Sequence, residues 1–158
     1  MALVKKYSDC VINTTHGLNQ NLKDYLGQWV ILYFYPKDMT SGCTIEGRDF
    51  NTYYSQFKEL NAEVLGVSKD NLSSHEKFKQ KESFQFHLIA DETQTLCELF
   101  DVIQEKSMYG KKYFGIERST FIINPKGELV HTWRKVKVKG HVEDVLETLK
   151  RIQQREGE

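Results

Sequence analysis

Residues 29–36 read WVILYFYP, eight positions without a charge, rich in β-branched and aromatic side chains and closed by a proline. Such a run has no face to offer water. It reads as a central strand buried on both sides, which demands a sheet with layers packed above and below it. Proline cannot donate to the ladder, so the strand ends at Pro36. The rest of the 158 residues must be arranged around this segment.

The remaining pattern supplies those layers. A helical pattern from about Thr44 to Leu60 sets Phe50, Tyr53, Tyr54 and Phe57 on one side, and AEVLGVS (62–68) follows as a second short buried strand. DNLSSHEKFKQKE (70–82) opens with capping residues and continues as a polar, one-sided helix. FHLIAD (86–91) gives a third strand, TQTLCELFDV (93–102) a helix, and QEKSMYGKKYFG (104–115) a loop holding Met108, Tyr109 and Tyr113. STFIINP (119–125) and ELVHTWR (128–134) flank the turn signal NPKG and read as a hairpin. From His141 to about Ile152, Val142, Val145, Leu146 and Leu149 mark a closing amphipathic helix. The order β-α-β-α-β-α-β-β-α predicts an α/β fold, a central mixed β-sheet with helices on both faces. No repeat or Pro/Gly/Ser-rich linker divides the chain, so one domain over residues 1–158 is expected.

Charge and cysteine usage narrow the function. The 22 basic and 22 acidic residues cancel, which leaves no overall field to draw nucleic acid or anionic lipid. RKVKVKGH (134–141), the most basic stretch, alternates charge with valine and reads as a solvated strand face. The N-terminal MALVKKYSDC lacks the apolar core of a signal peptide, and no run approaches the roughly 18 apolar residues of a membrane helix. A cytoplasmic location is therefore expected, with no membrane partner. In that reducing setting three unevenly spaced cysteines make a poor disulfide framework, and redox or catalytic chemistry gains weight. There is no CxxC and no Cys/His cluster with zinc-finger spacing, so no metal is expected. His16, His75, His87, His131 and His141 are scattered and read as structural, and Trp29, Tyr33, Phe34 and Tyr35 as core.

The stretch PKDMTSGCTIE (36–46) holds the candidate site. A lone cysteine there is open to four readings: a packed small hydrophobe, a metal ligand, half of a disulfide, or a nucleophile. A turn built from Thr, Ser and Gly is not a core setting. The strand-to-helix junction lies at the carboxyl edge of the sheet, where α/β proteins build their sites. With a helix starting near Ser41 or Gly42, Cys43 falls in its first turn, where free N–H groups and the helix dipole favour an anion. Such a position lowers a cysteine pKa from about 8.5 towards neutrality or below, and the thiolate attacks soft electrophiles, peroxide oxygen among them. Thr40 would put a hydroxyl beside the sulfur, and Pro36 would shield it from water.

PKDMTSGC fits the active-site pattern of the peroxiredoxins (proline, three residues, Thr or Ser, two residues, cysteine), and VILYFYPKDMTSGCTIE resembles the bacterioferritin-comigratory-protein branch, also called peroxiredoxin Q. The resemblance runs through essentially the whole chain, with VLGVSKD, FHLIAD, LCELFDV and KSMYGKKYFGIERSTFIINPKGELVHTWRKVKVKGHVEDVL in the family's order and spacing. It implies a thioredoxin-like (peroxiredoxin) fold and a peroxidase that reduces hydrogen peroxide and organic hydroperoxides without metal or bound cofactor. Carried over by motif, Cys43 is the peroxidatic cysteine, Thr40 holds the peroxide, Pro36 limits solvent access, and Arg118 in GIERSTF lies over the sulfur. A guanidinium there would stabilise the thiolate and the charge that builds on the leaving oxygen. An arginine opening the apolar strand STFII is also out of place unless it faces a site. Glu46 matches an acidic or amide position and has two open readings: it orients Arg118, or it is a first-turn acid favoured by the dipole.

Attack on peroxide leaves a sulfenic acid that a second thiol must condense with before it overoxidises. Relatives in this branch carry that thiol five residues after the nucleophile, where this chain has Arg48, or in the stretch corresponding to SSHEKFKQKESF, where the equivalent is Lys79. Cys97 has Leu96 and Phe100 at helical spacing and reads as core; Cys10, in YSDCVIN, reads as packing. A Cys43–Cys97 bond would need Cα atoms within about 7 Å of each other. The expectation is a one-cysteine cycle in which glutathione, glutaredoxin or thioredoxin attacks the sulfenic acid. The alternatives are a Cys43–Cys97 disulfide reduced by thioredoxin, and a redox sensor or partner-binding protein switched by oxidation of Cys43. The missing CxxC disfavours a disulfide reductase. A monomer or weak homodimer is expected.

Overall fold

The computed structural model describes residues 9–156, so MALVKKYS, which was read for a leader above, lies outside them. Two short strands, β1 (Val11–Ile12) and β2 (Gln20–Asn21), pair antiparallel ahead of a single 3-10 turn at Leu22–Tyr25. The charge-free run then forms β3 (Trp29–Phe34), buried at every position. There follow α1 (Ser41–Thr52), α2 (Tyr54–Glu59), β4 (Ala62–Ser68), α3 (Leu72–Glu82), β5 (His87–Ala90) and α4 (Thr95–Leu99). The chain closes with β6 (Ile103–Met108), β7 (Lys111–Ile116), β8 (Ser119–Ile123), β9 (Leu129–Trp133) and α5 (His141–Glu156).

The main sheet has the order β5-β4-β3-β8-β9, with β3, β4 and β5 mutually parallel and β8 and β9 antiparallel to their neighbours. Side chains alternate across β3 and so feed two cores. Trp29, Ile31, Tyr33 and Tyr35 pack with Phe50 of α1, Phe57 of α2, Phe78 of α3 and the Val142, Val145 and Leu149 stripe of α5. Val30, Leu32 and Phe34 pack on the other side with Leu96 and Cys97 of α4, Phe100, and Ile12 and Leu22. Helices therefore cover both faces, as the pattern predicts. Among the described residues no helix is long and apolar enough to cross a membrane.

Four local expectations are corrected. The helical pattern read as far as Leu60 starts at Ser41, as the placing of Cys43 in a first turn requires, but it is interrupted at Tyr53, one residue after Thr52 Oγ1 donates back to Arg48 O at 2.9 Å. Such back-bonding bends helices. The helix expected over 93–102 is cut to Thr95–Leu99 because Gln94 (φ 60) and Asp101 (φ 56) bracket it in left-handed conformations. The expected loop at 104–115 is the hairpin β6–β7, turned by Tyr109 (φ 53) and Gly110 (φ 78), both with the positive φ of a type I′ turn. Its side chains are mostly exposed, Met108, Tyr109 and Tyr113 included, so no apolar alternation announces it. Finally, RKVKVKG (134–140) is an irregular, mostly exposed segment rather than a strand, and His141 opens α5; Lys135 (φ 49) breaks the extended path just beyond β9.

Candidate active site

β3 ends where Tyr35 N makes its last bond, to Val67 O at 3.0 Å, and the half-buried Pro36 turns the chain towards α1. Between them the loop is anchored from beneath. Asp38, 6% exposed, accepts from Tyr35 Oη at 2.6 Å and Ser74 Oγ at 2.8 Å, and its backbone N–H donates to Asp70 Oδ2 at 2.8 Å. His75 Nδ1 lies 2.7 Å from Asp38 Oδ2 and its Nε2 lies 2.8 Å from Ile89 O, so both ring nitrogens face acceptors. Ser68 Oγ completes the cluster with a 2.7 Å bond to Asp70 Oδ2. The Asp38, Asp70 and His75 ligand atoms lie within 4.8 Å of one another, but these mutual hydrogen bonds already occupy them. The group ties α3 and the ends of β4 and β5 to the loop and fixes its path. Sequence reading missed it, apart from assigning His75 a structural role. The available signal was an acid two residues past a strand-ending proline.

Thr40 is the N-cap of α1 in an extended conformation, yet its hydroxyl donates to Lys37 O at 2.9 Å instead of capping the helix. No side chain caps α1, so the first-turn N–H groups are left to whatever occupies the mouth of the loop. Cys43 sits in that turn, 2% exposed. Arg118 reaches it from the junction of β7 and β8, donating from Nη2 to Cys43 Sγ at 3.4 Å and from Nη1 to Glu46 Oε1 at 2.6 Å. The irregular 134–140 segment holds that junction, since Val136 N donates to Arg118 O at 3.0 Å. Gly42 makes room for the guanidinium: a Cβ there would stand 3.2 Å from Arg118 Nη2.

The electrostatics follow from burial. Desolvation pushes the Glu46 carboxyl up to about 7, against the pull of Arg118. Glu46 Oε2 and Tyr33 Oη are buried without a hydrogen-bond partner among the described residues. Arg118 is held above its ordinary range: burial opposes its charge, but Glu46 and Cys43 outweigh that. Lys106 on β6 was unassigned in the sequence. Burial lowers its pKa, and it interacts electrostatically with Arg118 and Cys43, so the hairpin brings a second cation near the sulfur.

Of the other candidates, Cys43, Glu46 and Arg118 converge, with Thr40 and Pro36 on the segment that leads into α1, while Cys97 does not join them. Cys97 is fully buried in the core on the opposite face of the sheet, its N–H donating to Asp91 Oδ2 at 2.9 Å. Burial and Asp91 push its thiol far above the ordinary range. Cys10 is half-buried against the same core as Cys97, and burial followed by Asp91 raises its pKa too. Arg48 pairs in bidentate fashion with Glu82 of α3, at 2.5 and 3.3 Å, and Lys79 Nζ donates to Phe84 O at 2.6 Å and Phe86 O at 2.8 Å.

Comparison with known proteins agrees with this architecture. Residues 4–132 match the AhpC/TSA family, and the chain belongs to it. It is 49% identical over 142 residues to Peroxiredoxin Bcp of Xanthomonas campestris pv. campestris, covering 90% of this chain and 89% of that one. Peroxiredoxin Bcp of Bacillus subtilis is likewise 49% identical, over 146 residues and 92% and 93% of the two chains. The solved Xanthomonas campestris bacterioferritin comigratory protein superposes with a TM-score of 0.88 at 46% identity, over 92% of this chain and 93% of the other. The Xanthomonas protein has also been solved with one or another cysteine changed to serine. Within its family the chain is thus a peroxiredoxin of the Bcp, or peroxiredoxin Q, branch: a thiol-dependent peroxidase with a thioredoxin-like fold.

Proposed function

We propose that Cys43 is the peroxidatic cysteine, that its substrates are hydrogen peroxide and organic hydroperoxides, and that an external thiol completes the cycle. The observation that carries this is the Arg118 guanidinium donating to both Cys43 Sγ and Glu46, in space that the absent side chain of Gly42 leaves to it. A charge-assisted donor on sulfur favours the anionic nucleophile. The thiolate attacks the terminal peroxide oxygen; the S–O bond forms as the O–O bond breaks, and alkoxide or hydroxide departs. Arg118 and the first-turn N–H groups face the charge that develops on the oxygens. The Thr40 hydroxyl spends its own proton on Lys37 O, so its lone pairs are free to accept from the peroxide O–H. Pro36 at the loop entrance limits water. An activity on alkyl peroxides is attributed to the Xanthomonas relative, which supports the same substrate class here.

For resolution, the one-cysteine cycle is the reading we favour, with glutathione, glutaredoxin or thioredoxin as the attacking thiol. The two cysteines exchanged for serine in the Xanthomonas structures are spaced as Cys43 and Lys79 are in this chain. Arg48 and Lys79 offer no thiol, and Cys97 packs across the sheet. The same shortage supports a second reading, in which oxidised Cys43 switches an interface instead of turning over. A coupled assay with several thiol donors separates the two: sustained peroxide consumption supports the enzyme cycle, and a single stoichiometric oxidation supports the switch. Cys43→Ser abolishes peroxidase activity on this proposal, and activity retained by that variant would refute it.

A further inference from the structure

Arg118 carries one positive charge, and two acidic groups share it. Its nitrogens contact Glu46 Oε1 at 2.6 Å and Cys43 Sγ at 3.4 Å. Glu46 is 0% and Cys43 2% exposed, so water screens neither. A carboxylate and a thiolate together would leave one buried anion uncompensated, which a poorly polarisable interior penalises. A single proton removes that penalty.

The geometry indicates where the proton sits. Glu46 Oε2 is buried and has no partner among the described residues. An unsatisfied anionic oxygen costs far more in such a place than the hydroxyl of a neutral carboxyl. The charged and titratable groups around it offer little relief. Asp49 on its own helix is a like charge, and Tyr33 from β3 and Cys43 are acids. Lys106 from β6 and His141 from α5 interact with Arg118. Arg118 is the cation that acts on Glu46, and burial still pushes the carboxyl up to about 7.

We propose that Glu46 holds a proton while Cys43 is a thiolate and gives it up as Cys43 is oxidised, so that Arg118 faces one anion throughout. This rests on the reading of Cys43 as the peroxidatic nucleophile. The step balances. The sulfur lone pair forms the S–O bond to the terminal oxygen, the O–O pair leaves on the second oxygen, and that oxygen takes a proton from solvent as Glu46 releases its own. Thiolate, neutral carboxyl and hydroperoxide become sulfenic acid, carboxylate and alcohol (or water). The carboxylate takes over the guanidinium as the thiolate is consumed, so the site is neutral before and after. Glu46 touches Arg118 and not the substrate, and is a positioning residue.

Proton stoichiometry reads this directly. Reduced protein in weak buffer at about pH 6.5 is mixed with one equivalent of hydrogen peroxide and a pH indicator, and Cys43 oxidation is followed in parallel by mass spectrometry. Glu46→Gln keeps an oxygen for Arg118 but cannot hold or release the proton. The expected result is about one more proton taken up per oxidised Cys43 by Glu46→Gln than by the wild type, together with loss of a protonated-carboxyl infrared band from the wild type, which a proton resting on Cys43 instead of Glu46 would not give. Equal uptake by the two proteins overturns the inference while leaving the nucleophile assignment intact. No oxidation of Cys43 in the wild type removes that assignment, and this inference with it. Should Glu46→Gln fail to fold, infrared difference spectra of the wild type decide. Loss of a protonated-carboxyl band on oxidation supports the proposal, and a spectrum without that loss overturns it.

Discussion

Cys43 and Cys97 lie on opposite faces of one sheet, the first packed with Tyr33 and Phe50, the second with Phe34 and Phe100. A bond between them would have to draw together side chains that pack in separate cores on the two sides of β3. Cys97→Ala is therefore expected to keep peroxidase turnover within about two-fold of the wild type, at a stability cost of roughly 1 kcal/mol for the small cavity. Peptide mapping after one equivalent of peroxide should find no Cys43–Cys97 link. A link in major yield would show that the sheet opens during the cycle.

Gly42 separates reactivity from stability. Alanine in a helix is ordinarily about 1 kcal/mol better than glycine. Here its Cβ would meet Arg118 Nη2 at 3.2 Å. Gly42→Ala should melt at or above the wild-type temperature while its second-order rate with peroxide, measured by stopped flow, falls about ten-fold, or 1.4 kcal/mol in barrier. An undiminished rate would mean that the guanidinium can move aside without consequence.

His141 sets an acid limit. It is 6% exposed, its Nε2 lies 2.7 Å from Thr120 Oγ1, and burial lowers its pKa from 6.5 to about 4. The folded state binds this proton less tightly than the unfolded chain. Its contribution is thus fully present above about pH 6.5 and is lost as pH falls towards 4, by about 3 kcal/mol. Glu46, raised from 4.5 to about 7, has the opposite sign, with a contribution present below 4.5 and lost as pH rises through 7. Urea titrations between pH 4 and 7 should give a shallower acid decline for His141→Gln than for the wild type. Matching declines would assign the acid limb to other groups.

Arg48 occupies the place, five residues after Cys43, where relatives can carry a second thiol. On an intact helix five residues advance about 7.5 Å, too far for a disulfide. Arg48→Cys also removes the bidentate pair with Glu82 that ties α1 to α3. After peroxide, this variant should form an intramolecular disulfide from Cys43 to the introduced thiol and lose its dimedone adduct. Full dimedone labelling at Cys43 would show that α1 stays closed on the timescale of the reaction.

The parts legible in the sequence are those in which one segment carries its own signal. β3 and β4 are unbroken apolar runs, the NPKG turn announces β8–β9, and the stripe from Val142 to Leu149 announces α5. The β6–β7 hairpin is hidden because its side chains face water on most of both strands. Cys43 and Arg118 are readable through a motif and a misplaced charge, whereas the 2.6 Å contact of Arg118 with Glu46 is the arrangement that the first of the two readings of Glu46 requires. The Asp38–His75 contact is not readable. It joins residues 37 positions apart that meet only once β4 and α3 have folded back beside the loop.

Lys79 stands where a second thiol would serve, and its ammonium fastens the carbonyls of Phe84 and Phe86 instead. On the one-cysteine cycle proposed above, the chain then keeps no internal clock for its oxidised form. The lifetime of that form is set by the arrival of thiols from outside. The oxidised fraction at any moment becomes a running ratio of peroxide flux to thiol supply, which any partner able to tell the two forms apart can read.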